Sequence, residues 1–265
     1  MSYSKHPIII EEAAMSTLQK LLQKADSYKQ KISSARPLAK DELKSLDNYF
    51  RVGFTYASNA LEGNTLTISE TKILLEDGIT VGGRPLKDCY EAVGHGAAYD
   101  FMLELARQQN MKITEDTIKK LHRLFYQKVD ADQAGRYRSI QVYISGTEYI
   151  PPAPEEVPQL MKHLADQIHS SKITLHPIEV AAMAHKRLVD IHPFIDGNGR
   201  TARLLMNLIL VNAGYGVVSV PPIWRNDYIN VLSASRRLND MDPFCELIAE
   251  CVIETERDYC RLLKL

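Results

Sequence analysis

Apolar residues recur at helical spacing through most of this chain, and one short stretch alternates instead. The helical pattern predicts amphipathic helices over 11–33 and 39–61, separated by "SARPLAKD", whose proline breaks the periodicity. "TISE", Thr67 to Glu70, is a capping box that opens another helix. Further helices are predicted over 86–108, 115–128, 154–170, 177–190, 200–213, 225–237 and 243–263. Pro177 and Pro243 suit first-turn positions, and Asp242 is an N-cap candidate. The expected fold class is mainly α.

The alternating stretch is "RSIQVYISGTEYIPPAP", where Ile140, Val142 and Ile144 interleave with Gln141, Tyr143 and Ser145 ahead of a Ser-Gly turn. It predicts a small β-hairpin leaning on the helical body. Its outer edge would either pair with an extended peptide or serve as a plain connector.

At 265 residues the chain is long enough for a sizeable core, and its charged and hydrophobic fractions of 25% and 45% are those of a globular protein. Lys+Arg 32 against Asp+Glu 33 leaves a net charge of -1, so there is no global basic field for nucleic acid or an anionic membrane. The apolar run near the N-terminus is too short for a signal core or a membrane span, so the expected location is cytoplasmic. Cys89, Cys245, Cys251 and Cys260 form no CxxC pair and read as buried free thiols.

The chemistry concentrates in "IHPFIDGNGR", Ile191 to Arg200, which joins two apolar helices and ends at the start of the second. A helix N-terminus offers free N–H groups and partial positive charge, and Gly197 and Gly199 let an anion approach the backbone. Arg200 and Arg203 lie one turn apart and can reach one multiply charged ligand, which suggests a polyphosphate. Asp196 fits beside an anion only if a cation such as Mg2+ neutralises it, and Asn198 can donate to a phosphate oxygen without adding charge. His192 is the loop's one group that takes up a proton near neutral pH, a general base for an attacking hydroxyl. Phe194 is expected to anchor the loop in the core.

His192, Phe194, Asp196, Gly197, Asn198, Gly199, Arg200 and Arg203 together reproduce HxFx(D/E)GNGRxxR, and the chain thereby resembles the Fic (Fic/Doc) family. The resemblance runs over roughly 90–250 and takes in "GRYR" at Gly135 to Arg138 and "DPFCELI". It implies a helical bundle with a hairpin flap, and transfer of AMP from ATP, with Mg2+, to a Ser, Thr or Tyr hydroxyl of a protein target. By the same resemblance His192 deprotonates the hydroxyl and Asp196 holds the metal. Gly197, Asn198, Gly199, Arg200 and Arg203 bind phosphates, and Ile140, Val142, Tyr143 and Ile144 align the target. An adenine pocket is expected near "RNDYINVLSAS", with Tyr228 as its candidate residue and Arg236 where relatives often carry asparagine.

"SNALEGN", Ser58 to Asn64, places Ser58 and Glu62 on one face of a helix end that Gly63 suits as a cap. A carboxylate there opposes the helix dipole and gains from a cationic partner. The stretch also resembles the family's inhibitory motif (S/T)xxxE(G/N), which implies that Glu62 pairs with Arg200 while Ser58 holds the inhibitory helix. The resulting division is an inhibitory region over 1–89 and a catalytic core over 90–265. Self-modification and self-association are compatible with this reading. Its rivals are other chemistry on the same loop, whether phosphoryl transfer, use of another nucleotide or removal of AMP from a modified target, and an ATP-sensing interaction module without turnover.

Overall fold

The computed structural model describes residues 15–35, 38–80, 82–144 and 146–265. The predicted helix start at 11, the N-terminal apolar run, Pro37 and Ser145 lie outside them. Ten α-helices follow in order among the described residues: α1 Thr17–Ser34, α2 Lys40–Ala60, α3 Ile68–Glu76, α4 Leu86–Ala106, α5 Glu115–Tyr126, α6 Val157–Ser171, α7 Pro177–Ile191, α8 Asn198–Asn212, α9 Arg225–Leu238 and α10 Asp242–Leu262. Short 3-10 turns precede α6 and α9.

The centre is the pair α7 and α8, whose Ala181, Leu188, Leu204, Leu205 and Leu208 have no exposure. α4 and α5 cover α8, and their backbones approach so closely that a Cβ on Gly94 would collide with the carbonyl of Phe125. α6 and α10 cover α7, and α1 lies along α10. α1 is also tied to the body where the Tyr215 hydroxyl donates to Asp26 at 2.5 Å. α2 packs on α4 and brings only its final turns to α8. The capping box at Thr67 forms as expected: its hydroxyl accepts from the Glu70 amide at 3.2 Å, and Glu70 accepts from the Thr67 amide at 2.7 Å.

α4 runs across residues 89 and 90, and one apolar cluster contains both Leu18 and Phe244. One expectation changes here. The expected β-hairpin is absent: among the described residues no strand forms, and no backbone hydrogen bond joins 139–144 to 147–152. Pro151 and Pro152 lack the N–H a ladder needs, so the end of the return limb offers acceptors only. Side chains bridge the limbs instead, for the Gln141 amide donates to the carbonyls of Val142 at 3.1 Å and Pro151 at 3.0 Å. The flap is a side-chain-bridged loop.

Candidate active site

α7 ends at His192, which adopts the left-handed conformation (φ 50°, ψ 58°) that turns the chain out of the helix. Its Nδ1 lies 3.1 Å from the carbonyl of Val189. A carbonyl only accepts, so Nδ1 carries the proton and Nε2 keeps a lone pair for use as a base. Burial lowers the imidazole pKa below its ordinary 6.5, against the raising effect of the Val189 bond.

The turn that follows is built from inside. Phe194 is fully buried and stacks on His122 with ring centres 3.8 Å apart. The amide of Gly135 donates to His122 Nδ1 at 2.8 Å, so His122 donates from Nε2 to the carbonyl of Asp196 at 3.0 Å. Burial pushes the His122 pKa down to about 4 and keeps it in that neutral form. Asn198 is 2% exposed, accepts from the Phe194 amide at 2.9 Å and donates to the Phe194 carbonyl at 2.9 Å. Its amide therefore closes the loop rather than facing outward to a phosphate. Gly197 has φ +76°, and a Cβ there would come 2.6 Å from the Phe125 ring.

The two arginines have separate partners. Arg200, 3% exposed, donates from Nη1 to Glu91 of α4 at 2.9 Å, and its Nη2 lies 3.5 Å from Asp196 Oδ1. Arg203, 1% exposed, meets Glu62 Oε1 from Nη2 at 2.7 Å. It also donates from Nε to the Ser58 hydroxyl at 3.0 Å and from Nη2 to the Ser58 carbonyl at 2.8 Å. The expected Glu62–Arg200 pair is thus corrected to Glu62–Arg203. The last turn of α2 lies over the second arginine, while the first faces α4 and is already matched by Glu91. Gly63 takes φ +90° just past the helix, and the Arg225 guanidinium donates to the Leu61 carbonyl at 2.8 Å.

Glu62 also sits on the anion nest itself, since a Cβ on Gly199 would collide with its Oε1. Burial raises the Glu62 pKa, but the charge and hydrogen bond of Arg203 outweigh it and hold the carboxyl below its usual range.

Tyr228 lies behind Arg203 and not on an open pocket wall. It is 6% exposed, its hydroxyl accepts from Arg203 Nη1 at 3.4 Å, and it lies 2.8 Å from His185 Nε2. In the flap, Ile140 and Tyr143 are 60% and 76% exposed, while Val142 and Ile144 are half-buried. Arg236 stacks over Tyr149 at 3.9 Å and donates to Asp190 at 2.6 Å.

Sequence reasoning missed Glu91, His122, Asn59 and His185. Glu91 left one signal, a glutamate among the small residues of "EAVGHGAA", because a carboxylate on a buried helix face requires a partner. His122 reaches the Asp196 carbonyl, Asn59 Oδ1 lies 3.5 Å from Arg200 Nη1 and His185 meets Tyr228, contacts that only the fold creates.

Residues 112–210 match the Fic/DOC family. The chain is 32% identical to a Fic domain containing signaling protein from Bacteroides thetaiotaomicron, with TM-score 0.82 over 94% of this chain and 98% of that one. It is 32% identical to Fic-1 from C. elegans, with TM-score 0.83 over 93% of this chain and 73% of that structure. Among curated proteins it is 38% identical over 240 residues to protein adenylyltransferase Fic of Nematostella vectensis, covering 89% of this chain and 55% of the relative. It is 40% identical over 201 residues to the protein of that name from Drosophila erecta, covering 76% of this chain and 40% of the relative. The chain therefore spans about half the length of the curated relatives it matches.

Proposed function

This chain belongs to the Fic/DOC family, and we propose that it is an autoinhibited protein adenylyltransferase. The proposed reaction moves AMP from ATP to a Ser, Thr or Tyr hydroxyl of a target protein. The observation that carries the proposal is the placement of His192, its Nε2 free for proton transfer, at the mouth of a helix N-terminus backed by Arg200 and Arg203. His192 takes the hydroxyl proton, the oxygen bonds to the α-phosphorus, and the bond to the β-phosphate oxygen breaks to release pyrophosphate. The amides of α8 and the two guanidiniums stabilise the charge that collects on the leaving phosphates.

Asp196 fits a magnesium ion. Its side chain is 43% exposed, and Oδ2 has only long contacts, 3.5 Å to the Tyr126 hydroxyl and 3.8 Å to Lys87 Nζ. Among the described residues no cluster of three metal-binding side chains surrounds it, so triphosphate oxygens and water would complete the shell. Bound there, Mg2+ would neutralise phosphate charge.

Inhibition is proposed from Glu62, which takes Arg203 and covers the nest where the outer phosphates would lie. Ser58 supports it by bonding the same guanidinium. A cytoplasmic site of action is supported by four cysteines that are all free and buried. No helix among the described residues is long and apolar enough to cross a membrane. The mass added to a protein incubated with this chain, ATP and Mg2+ tests the chemistry. An AMP increment supports the proposal, and a phosphoryl increment would replace it with a different transfer.

A further inference from the structure

The flap has no ladder to give it shape, yet both its limbs converge on one side chain. Arg138 is 2% exposed, and among the described residues its hydrogen bonds all go to backbone carbonyls. Nη1 donates to Ile140 on the outgoing limb at 3.0 Å, and Nη2 donates to Pro152 on the return limb at 2.5 Å. Nε donates to the carbonyl of His192 at 2.8 Å, and the Arg138 amide donates to Pro193 at 2.9 Å. We infer that Arg138 is a positioning residue that fixes the flap relative to His192, and thereby the place of the target hydroxyl before the base. The inference rests on the transfer reading above and names a determinant of it.

The chemistry of the contact suits the task. Pro151 and Pro152 supply acceptors without donors, and a guanidinium is a planar set of donors without acceptors. A lysine in its place would have one nitrogen for three carbonyls that lie in different directions. The His192 carbonyl belongs to a residue in left-handed backbone, a conformation that non-glycine residues keep only when their surroundings hold it. Arg138 supplies part of that hold. Gln141 forms a second rung across the limbs at Val142 and Pro151, and among the described residues its side chain makes no hydrogen bond to the catalytic loop. Arg138 is therefore the link from both limbs of the flap to the His192 carbonyl, beside a second tether in which the Tyr149 hydroxyl donates to the Asp190 carbonyl at 3.0 Å, whereas Gln141 bridges the flap itself.

The test places Arg138→Lys and Gln141→Ala separately in the Glu62→Gly background. It reads amide hydrogen exchange, ATP affinity with Mg2+ by titration, and self-transfer of AMP by intact mass. For Arg138→Lys, exchange should accelerate together in 139–152 and 192–196, ATP affinity should stay within about twofold, and transfer should fall about tenfold or more. Gln141→Ala should loosen 139–151 with the 192–196 amides unchanged, and should lower transfer. It keeps the test open if Arg138→Lys does not fold. Loosening confined to the flap in Arg138→Lys, an equal loss of ATP affinity, or a loosened flap with undiminished transfer in either variant would each overturn the inference. If Glu62→Gly with Arg138 intact transfers nothing, the functional reading fails, and the exchange pattern still decides whether Arg138 couples the two segments.

Discussion

Glu62 reaches from the end of α2 to Arg203 of α8, its Oε1 2.7 Å from Nη2, and the same oxygen lies where a side chain on Gly199 would stand. One carboxylate thus fills two roles of an outer phosphate: it pairs with the buried guanidinium and sits at the start of a helix. Removing it should leave Arg203 charged, buried and ready for a ligand. Glu62→Gly is accordingly expected to lower the melting temperature without ATP and to recover more of it than wild type when ATP and Mg2+ are added. Glu62 is 36% exposed, so the loss should fall below the about 3–5 kcal/mol of breaking a fully buried pair. Calorimetric melts with and without ATP check this, and equal ATP-induced shifts in the two proteins would contradict it.

The latch has a defined pH window. Arg203 holds the Glu62 pKa below its ordinary 4.5, so the pair's contribution is fully present above that value and is lost as pH falls through the lower folded value. The melting difference between wild type and Glu62→Gln should therefore be flat from neutral pH down to about 4.5 and shrink only below it. Mild acidification is not expected to release inhibition. A difference that already collapses above 4.5 would show that Arg203 does not set the Glu62 charge.

His192 should set the acid limb of transfer. Its pKa is lowered from 6.5, so the neutral base prevails at and above that pH. In Glu62→Gly, kcat/KM plotted against pH should reach half its plateau below 6.5. Replacing His192 with alanine should cost about 10²–10⁴-fold, the range of general-base catalysis. A limb above 6.5 would assign it to another group.

Glu91 balances the other arginine. Both partners of the Arg200–Glu91 pair are nearly buried, with side chains 4% and 6% exposed. Glu91→Gln leaves Arg200 with only its longer contact to Asp196 at 3.5 Å and should cost up to about 3–5 kcal/mol by denaturant unfolding, with the Glu62–Arg203 contact intact. A loss below about 1 kcal/mol would mean that Asp196 alone satisfies Arg200.

The helices were legible because they carry their own period and some carry their own caps: Thr67 with Glu70 opened α3 where the pattern placed it, whereas Asp242, expected as an N-cap, is the first residue of α10 and Met241 precedes it without a side-chain cap. Reading the loop needed only local residues, and His192, Gly197 and Gly199 lie where the turn and helix start require. What failed depended on which surfaces meet. Choosing between Arg200 and Arg203 as the partner of Glu62 requires knowing that Glu91 of α4 already faces the first. The alternation at 140–144 looked like a strand because period alone cannot register that the opposite limb lacks donors at Pro151 and Pro152. Tyr228 and Asn198 were legible as polar groups near the site, but only the fold shows that they face Arg203 and Phe194.

The most direct measurement of the central claim is intact mass after incubating wild type, Glu62→Gly and Glu62→Gly/His192→Ala with ATP and Mg2+ and a mixture of acceptor proteins. The expected result is an AMP increment, on the chain itself or an acceptor, that is strong with Glu62→Gly, weak with wild type and missing with the double variant. Equal AMP transfer by wild type and Glu62→Gly, or transfer that survives loss of His192, would contradict it.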